Sequence, residues 1–116
     1  MAMIEYWHNP RCSKSRQGLA LLEENGADLK VRRYLEDAPT LAELTAAWEA
    51  LGKPPVVQMM RPKEAAFKQA GLSREDADEV LLSAMAAHPV LIERPLALRD
   101  GRAVIGRPPE ALLDLL

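Results

Sequence analysis

The chain has 116 residues with a net charge of −2, 48% of them hydrophobic and 28% charged, which is one domain with a real core and too short for two. A net charge this small gives no reason to expect nucleic acid or an anionic membrane as a general partner. No apolar run approaches the roughly 20 residues of a membrane span, and no basic-then-apolar leader opens the sequence, so a cytoplasmic protein is expected.

In chain order, Ile4 to Trp7 predicts a short strand buried on both faces, and Ser13 to Asn25 a helix stopped by Asn25-Gly26. Leu29 to Leu35 alternates apolar and polar residues as a second strand. Strand, helix, strand at this spacing is a βαβ unit with parallel strands and a right-handed crossover. Thr40-Leu41-Ala42-Glu43 is a capping box, opening a helix with Leu41, Leu44, Trp48 and Leu51 on one face. Short helical pieces follow at 56–60 and 63–70. Ser73-Arg74-Glu75-Asp76 resembles a second cap, and Ala77, Val80, Leu81, Ala84, Met85 and His88 then repeat at helical spacing until Pro89. Trp48 and the methionines read as core. Leu96 to Ile105 is a hairpin turning on Asp100-Gly101. Pro108-Pro109 suits the first turn of a last helix, with Ala111, Leu112, Leu115 and Leu116 facing inward.

The expected fold is therefore α/β: a single domain over 1–116 with a mixed sheet, β-α-β then β-β-α, and a helical insertion at about 40–88. This is the element order of a thioredoxin or glutaredoxin fold, where a thiol sits after the first strand at the start of the first helix. Cys12 occupies that place.

Cys12 is the only cysteine. It excludes an internal disulfide, fits a reducing compartment and makes any redox cycle depend on an outside thiol. Its stretch is polar and electropositive, with Arg11 and Lys14 flanking it and His8 near, so an exposed thiol is expected. A helix N-terminus and neighbouring cations favour the thiolate. Lowering a thiol from about 8.5 to about 6.5 makes it roughly three-quarters ionised at pH 7. Cys12-Ser13-Lys14-Ser15 is C-x-x-S, so a hydroxyl stands where a two-cysteine redox motif carries its resolving thiol. A C-x5-R phosphatase loop would need arginine at position 18, which is Gly18. Arg61, Arg94 and Arg107 each precede a proline, at breaks where side chains can converge, and arginine suits tetrahedral oxyanions through planar paired hydrogen bonds. His8 reads equally as a group that tunes Cys12 or as a polar loop residue, and His88 as a helix C-terminal residue. One cysteine and two separated histidines predict no metal site.

His8-Asn9-Pro10-x-Cys12-x-x-Ser15-Arg16, Tyr34-Leu35-Glu36 with Pro39-Thr40, His88-Pro89-x-Leu91-Ile92-x-Arg94-Pro95 and Gly106-Arg107-Pro108 together resemble the glutaredoxin-linked arsenate reductase (ArsC) family from end to end. Ser13-Lys14 stands where the best-characterised members carry Gly-Thr, which resembles a related Arg-Cys-Ser-Lys-Ser branch. The resemblance implies a thioredoxin-like fold and a Cys12 nucleophile that attacks arsenate. It implies that Arg61, Arg94 and Arg107 hold the oxyanion and that Pro95 is a cis-proline; His8 and Ser15 are expected to modulate the thiol. It further implies no bound cofactor: glutathione displaces the adduct, glutaredoxin removes the glutathione, and arsenite leaves. Two other readings share these residues. One is a glutathione-dependent thiol–disulfide oxidoreductase without arsenate activity. The other is an Spx-like regulator that binds RNA polymerase, whose C-x-x-C switch Ser15 removes.

Overall fold

The structure, a computed structural model, describes residues 3–116. The chain divides into two compact units: the residues up to Asp37 together with Arg94–Leu116, and Ala38–Glu93.

The first unit holds the sheet. Strands β1 (Ile4–Trp7) and β2 (Leu29–Arg32) flank helix α1 (Ser13–Glu24), and β3 (Leu96–Arg99) and β4 (Arg102–Ile105) form the hairpin. The strand order is β2-β1-β3-β4. β1 and β2 pair in parallel, while β1–β3 and β3–β4 are antiparallel. The turn residues Asp100 and Gly101 both have positive φ, 50° and 76°, as a two-residue hairpin turn of this twist requires.

Side chains two apart on β1, Ile4 and Tyr6, share one face, and pairing carries that face across to Ala97 and Val104. Leu22 of α1 and Leu112 and Leu115 of a closing 3-10 helix (Pro109–Leu115) complete this core. β1 is buried as expected except at Glu5, which is partly exposed. The last element is 3-10 rather than α-helical, so Leu112 and Leu115 point inward while Leu116 is exposed. Strand β2 ends three residues earlier than the alternation suggests. The Arg32 guanidinium turns back to the Asp37 carbonyl at 2.9 Å, and Asp37 N–H bonds the Arg33 carbonyl at 2.9 Å. That turn buries Tyr34 and leaves Leu35 exposed.

Gly18 fixes the spacing of α1 over the sheet. A Cβ there would lie 2.5 Å from Tyr6 Oη and 2.6 Å from Leu112 Cδ1. Position 18 thus has no room for any side chain, let alone a phosphatase arginine. Gly18→Ala is expected to destabilise the fold by about 1–3 kcal/mol through overpacking. Urea unfolding checks this, and an unchanged midpoint would contradict it.

The second unit is helical, with α2 (Leu41–Ala50), α3 (Ala65–Gln69) and α4 (Asp78–Ala87), 3-10 turns at Val56–Met59 and Pro89–Leu91, and one isolated bridge between Met60 and Ile92. The Thr40 capping box forms: Thr40 Oγ1 accepts from Glu43 N–H at 3.1 Å, and Glu43 Oε1 accepts from Thr40 N–H at 3.0 Å. Leu44 and Ala47 are buried on α2, whereas Leu41, in its first turn, is exposed. Trp48 is only half-buried, and its indole N–H donates to the Pro54 carbonyl at 2.6 Å. Ser73 does not cap α4. Asp76 accepts from Ser73 N–H at 2.8 Å in a separate turn, and the helix starts after Ala77 without a side-chain cap. Leu81, Leu82 and Met85 form the buried face of α4, and Val80 is exposed. Met59, Met60 and Met85 are core, Met3 is exposed, and Met1 lies outside the described residues. His88 terminates α4 and is exposed. Among the described residues no helix is long and apolar enough to cross a membrane.

Candidate active site around Cys12

The loop between β1 and α1 is built from short backbone bonds. His8 N–H donates to the Arg32 carbonyl at 2.7 Å and extends the parallel ladder one residue past β1. Cys12 N–H then donates to the Asn9 carbonyl at 3.0 Å, Arg11 N–H donates to Asn9 Oδ1 at 3.1 Å, and the Arg16 guanidinium caps the Pro10 carbonyl at 2.9 Å. These bonds deliver Cys12 to the N-cap of α1 in an extended conformation, φ −92° and ψ 124°. The sulfur therefore stands where a capping oxygen stands in most helices, facing amides that have no partner within the helix.

Cys12 is 9% exposed, which corrects the expectation of an open thiol. Arg11, Ser13 and Lys14 around it are exposed, but the sulfur is recessed. Burial alone would push its pKa up. The backbone amides of Ser15 and Lys14 and the Arg94 guanidinium, which also hydrogen-bonds the sulfur, outweigh that and hold the thiol below its ordinary value.

Arg94 and Arg107 converge on Cys12. Arg107 Nη2 lies 4.0 Å from Cys12 Sγ, and its Nε donates to the Arg94 carbonyl at 2.9 Å. One arginine thus anchors the backbone of the other while both face the sulfur. The peptides following them, Arg94–Pro95 and Arg107–Pro108, are both cis; the second had no counterpart in the sequence reading. Gly106 lets Pro95 close in, because a Cβ there would sit 2.7 Å from Pro95 Cγ. Arg61 lies within Ala38–Glu93, where its guanidinium is ion-paired with Glu64.

His8 and Ser15 form a buried pair, Nδ1 to Oγ 2.7 Å, and Asn9 N–H donates to the same Oγ at 3.0 Å. Burial first, then the charges of Arg33 and Arg16, lower the His8 pKa and favour the neutral ring. His8 thus bonds Ser15, whose amide faces the Cys12 sulfur. Tyr6 was not singled out by the sequence, yet its hydroxyl donates to the Ser15 carbonyl at 2.6 Å and pins the first turn of α1. Among the described residues no group of histidine, cysteine and carboxylates is placed to hold a metal ion.

A mixed sheet in this order, with a cysteine heading the first helix and a cis-proline directly after the arginine that bonds its sulfur, defines a thioredoxin-like thiol protein. The chain belongs to the ArsC family, whose model matches residues 7–115. It is 46% identical over 117 residues to an arsenate reductase of Neisseria meningitidis, covering 100% of both chains. It is 41% identical over 114 residues to the Escherichia coli protein YfgD, covering 97% of this chain and 96% of that one. Among solved structures, the arsenate reductase from Vibrio cholerae matches with a TM-score of 0.93 at 45% identity, covering 99% of this chain and 98% of that one.

Proposed function

We propose that this chain is a cytoplasmic arsenate reductase that uses Cys12 as nucleophile, with glutathione and then glutaredoxin as external reductants. The observation that carries the reading is the Cys12 sulfur facing the amides of Ser15 and Lys14 and two guanidinium groups. That arrangement favours the thiolate and offers an arriving oxyanion donors matched to its oxygens. The arsenate reductases of Neisseria meningitidis and Vibrio cholerae, similar over their whole length, supply the choice of oxyanion.

In the first step the Cys12 thiolate attacks arsenic of dihydrogen arsenate. A sulfur–arsenic bond forms, and one arsenate oxygen leaves as hydroxide, taking a proton to become water. Arg94 and Arg107 offset the charge on the remaining oxygens. A glutathione thiolate then attacks the Cys12 sulfur. The new sulfur–sulfur bond forms as the sulfur–arsenic pair passes to arsenic, which falls from As(V) to As(III) and leaves as arsenite. Ser15 carries no thiol, so the Cys12–glutathione disulfide waits for glutaredoxin, whose thiolate takes the glutathione and returns Cys12 to its thiolate. No step is assigned to Arg61.

Purified protein with glutathione and glutaredoxin is expected to release arsenite from arsenate, with omission of either reductant stopping multiple turnover. Reduction of glutathione mixed disulfides without any arsenate turnover would overturn the reading in favour of a thiol–disulfide oxidoreductase.

A further inference from the structure

Ser15 is fully buried in the first turn of α1, and each of its polar groups is taken. Its amide faces the Cys12 sulfur. Its hydroxyl oxygen meets His8 Nδ1 at 2.7 Å and Asn9 N–H at 3.0 Å, and its carbonyl accepts the Tyr6 hydroxyl at 2.6 Å. Tyr6 and His8 lie two apart on β1 and its extension, so their side chains leave on one face, with the rings 5.7 Å apart. The steps above use neither the Tyr6 hydroxyl nor the seat made for it. Tyr6 is 0% exposed, and a Cβ on Gly18 would come within 2.5 Å of Tyr6 Oη. Gly18 thus leaves room for the hydroxyl to reach the backbone of α1. Burial, the largest cause, holds the phenol proton well above the ordinary tyrosine range, so the group donates throughout the pH range in which a thiol ionises.

Tyr6 is joined to the nucleophile through a single peptide. The Ser15 carbonyl and the Arg16 N–H belong to one planar unit, and that N–H donates to the Cys12 carbonyl at 3.0 Å. A hydrogen bond accepted at the carbonyl end of a peptide strengthens donation at its amide end. We propose that Tyr6 is a positioning residue for Cys12, its hydroxyl locking the Ser15–Arg16 peptide so that the first turn of α1 holds its free amides on the sulfur. This rests on Cys12 as the nucleophile of the function proposed above. Helices fray at their ends, and donors that serve a developing charge act best when they are held in place beforehand. Arg94 and Arg107, the charged groups at the same sulfur, stay when the hydroxyl is removed, so its loss is expected to weaken the thiolate rather than abolish it.

Tyr6→Phe removes the hydroxyl alone and keeps the ring against His8. The readout is the rate of Cys12 alkylation by iodoacetamide across pH without arsenate, so failure here is distinguishable from failure of the reductase reading. Below the wild-type midpoint the variant is expected to react about three- to tenfold more slowly, with its rising limb moved to higher pH. At high pH, where both thiols are ionised, the two rates are expected to agree within about twofold. A neutral phenol carries no net charge, so the shift reports the geometry of the turn rather than a lost charge. Hydrogen exchange at the Arg16 amide is expected to speed at least about threefold relative to the amides of β3. Ile4→Val removes one methylene from the same face of β1, and is expected to lower the urea midpoint with the alkylation profile unmoved. A Tyr6→Phe profile that superimposes on wild type would overturn the proposal and leave the hydroxyl a packing group. An equal shift in Ile4→Val would overturn it too, because general loosening of the core would then account for both.

Discussion

Cys12→Ser is expected to lower arsenate turnover by at least about 10³-fold while leaving the fold intact. A serine hydroxyl at the same N-cap cannot ionise near neutral pH, because the amides of Ser15 and Lys14 and the Arg94 guanidinium that lower the thiol pKa act there on a hydroxyl that starts far above any thiol. Serine also cannot accept the electron-pair bookkeeping of the second step, since an arsenate ester of oxygen offers no sulfur for glutathione to attack. The backbone bonds around position 12, its N–H to the Asn9 carbonyl at 3.0 Å and its carbonyl from Arg16 N–H at 3.0 Å, do not depend on the side chain. Arsenite release measured beside urea unfolding separates loss of chemistry from loss of structure. A serine variant within tenfold of wild type would remove Cys12 from the mechanism.

Arg94→Ala is expected to lower kcat/KM for arsenate by about 10²–10³-fold, the usual effect of removing one preorganised donor from a developing oxyanion. It acts twice, because the same guanidinium binds oxyanion oxygens in the proposal and lowers the Cys12 pKa. The sign of the pH effect follows. A depressed thiol pKa keeps the thiolate populated toward lower pH, so loss of Arg94 moves the rising limb of the alkylation-rate profile to higher pH. Arg94→Lys restores part of the charge but not the planar paired geometry, and is expected to recover the profile better than the turnover. Arg107, exposed and 4.0 Å from the sulfur, is expected to contribute less to the pKa. An Arg94→Ala enzyme with an unchanged profile would show that the helix amides alone set the thiolate.

The parts of this molecule built from neighbours in sequence were legible beforehand. The β1–α1–β2 unit, the Thr40 capping box and the Asp100-Gly101 hairpin each carry their own local chemistry, and each stands where that chemistry put it. What failed was decided by particular side-chain contacts and by depth, neither of which a pattern of residue types shows. Leu35 continues the alternation of β2, but the Arg32–Asp37 turn and the burial of Tyr34 end the strand at Arg32. Ser73 has a capping residue's pattern, yet Asp76 takes its N–H. The polar neighbours of Cys12 suggested an exposed thiol, because sequence reports who flanks a residue and not how deep the loop sets it.

The candidate site divides along the same line. Cys12 at a helix start was readable, since the thiol and its amides are adjacent in the chain. The meeting of Arg94 and Arg107 at that thiol depends on the order in which β1, β3 and the segment after β4 assemble, which no local pattern encodes. Their shared feature, a following proline, marked them as unusual without showing where they pointed. The His8–Ser15 pair and the close approach of Gly18 to Tyr6 arise from packing alone.

In the proposed reaction Cys12 and Arg94 act on one oxyanion at one place. Its most direct measurement is the rate of Cys12 alkylation by iodoacetamide, across pH, with and without arsenate, in wild type and Arg94→Ala. The expected result is an alkylation midpoint below that of an ordinary thiol, with arsenate protecting Cys12 in wild type and failing to protect it in the variant. A low midpoint with no protection by arsenate in wild type would contradict it.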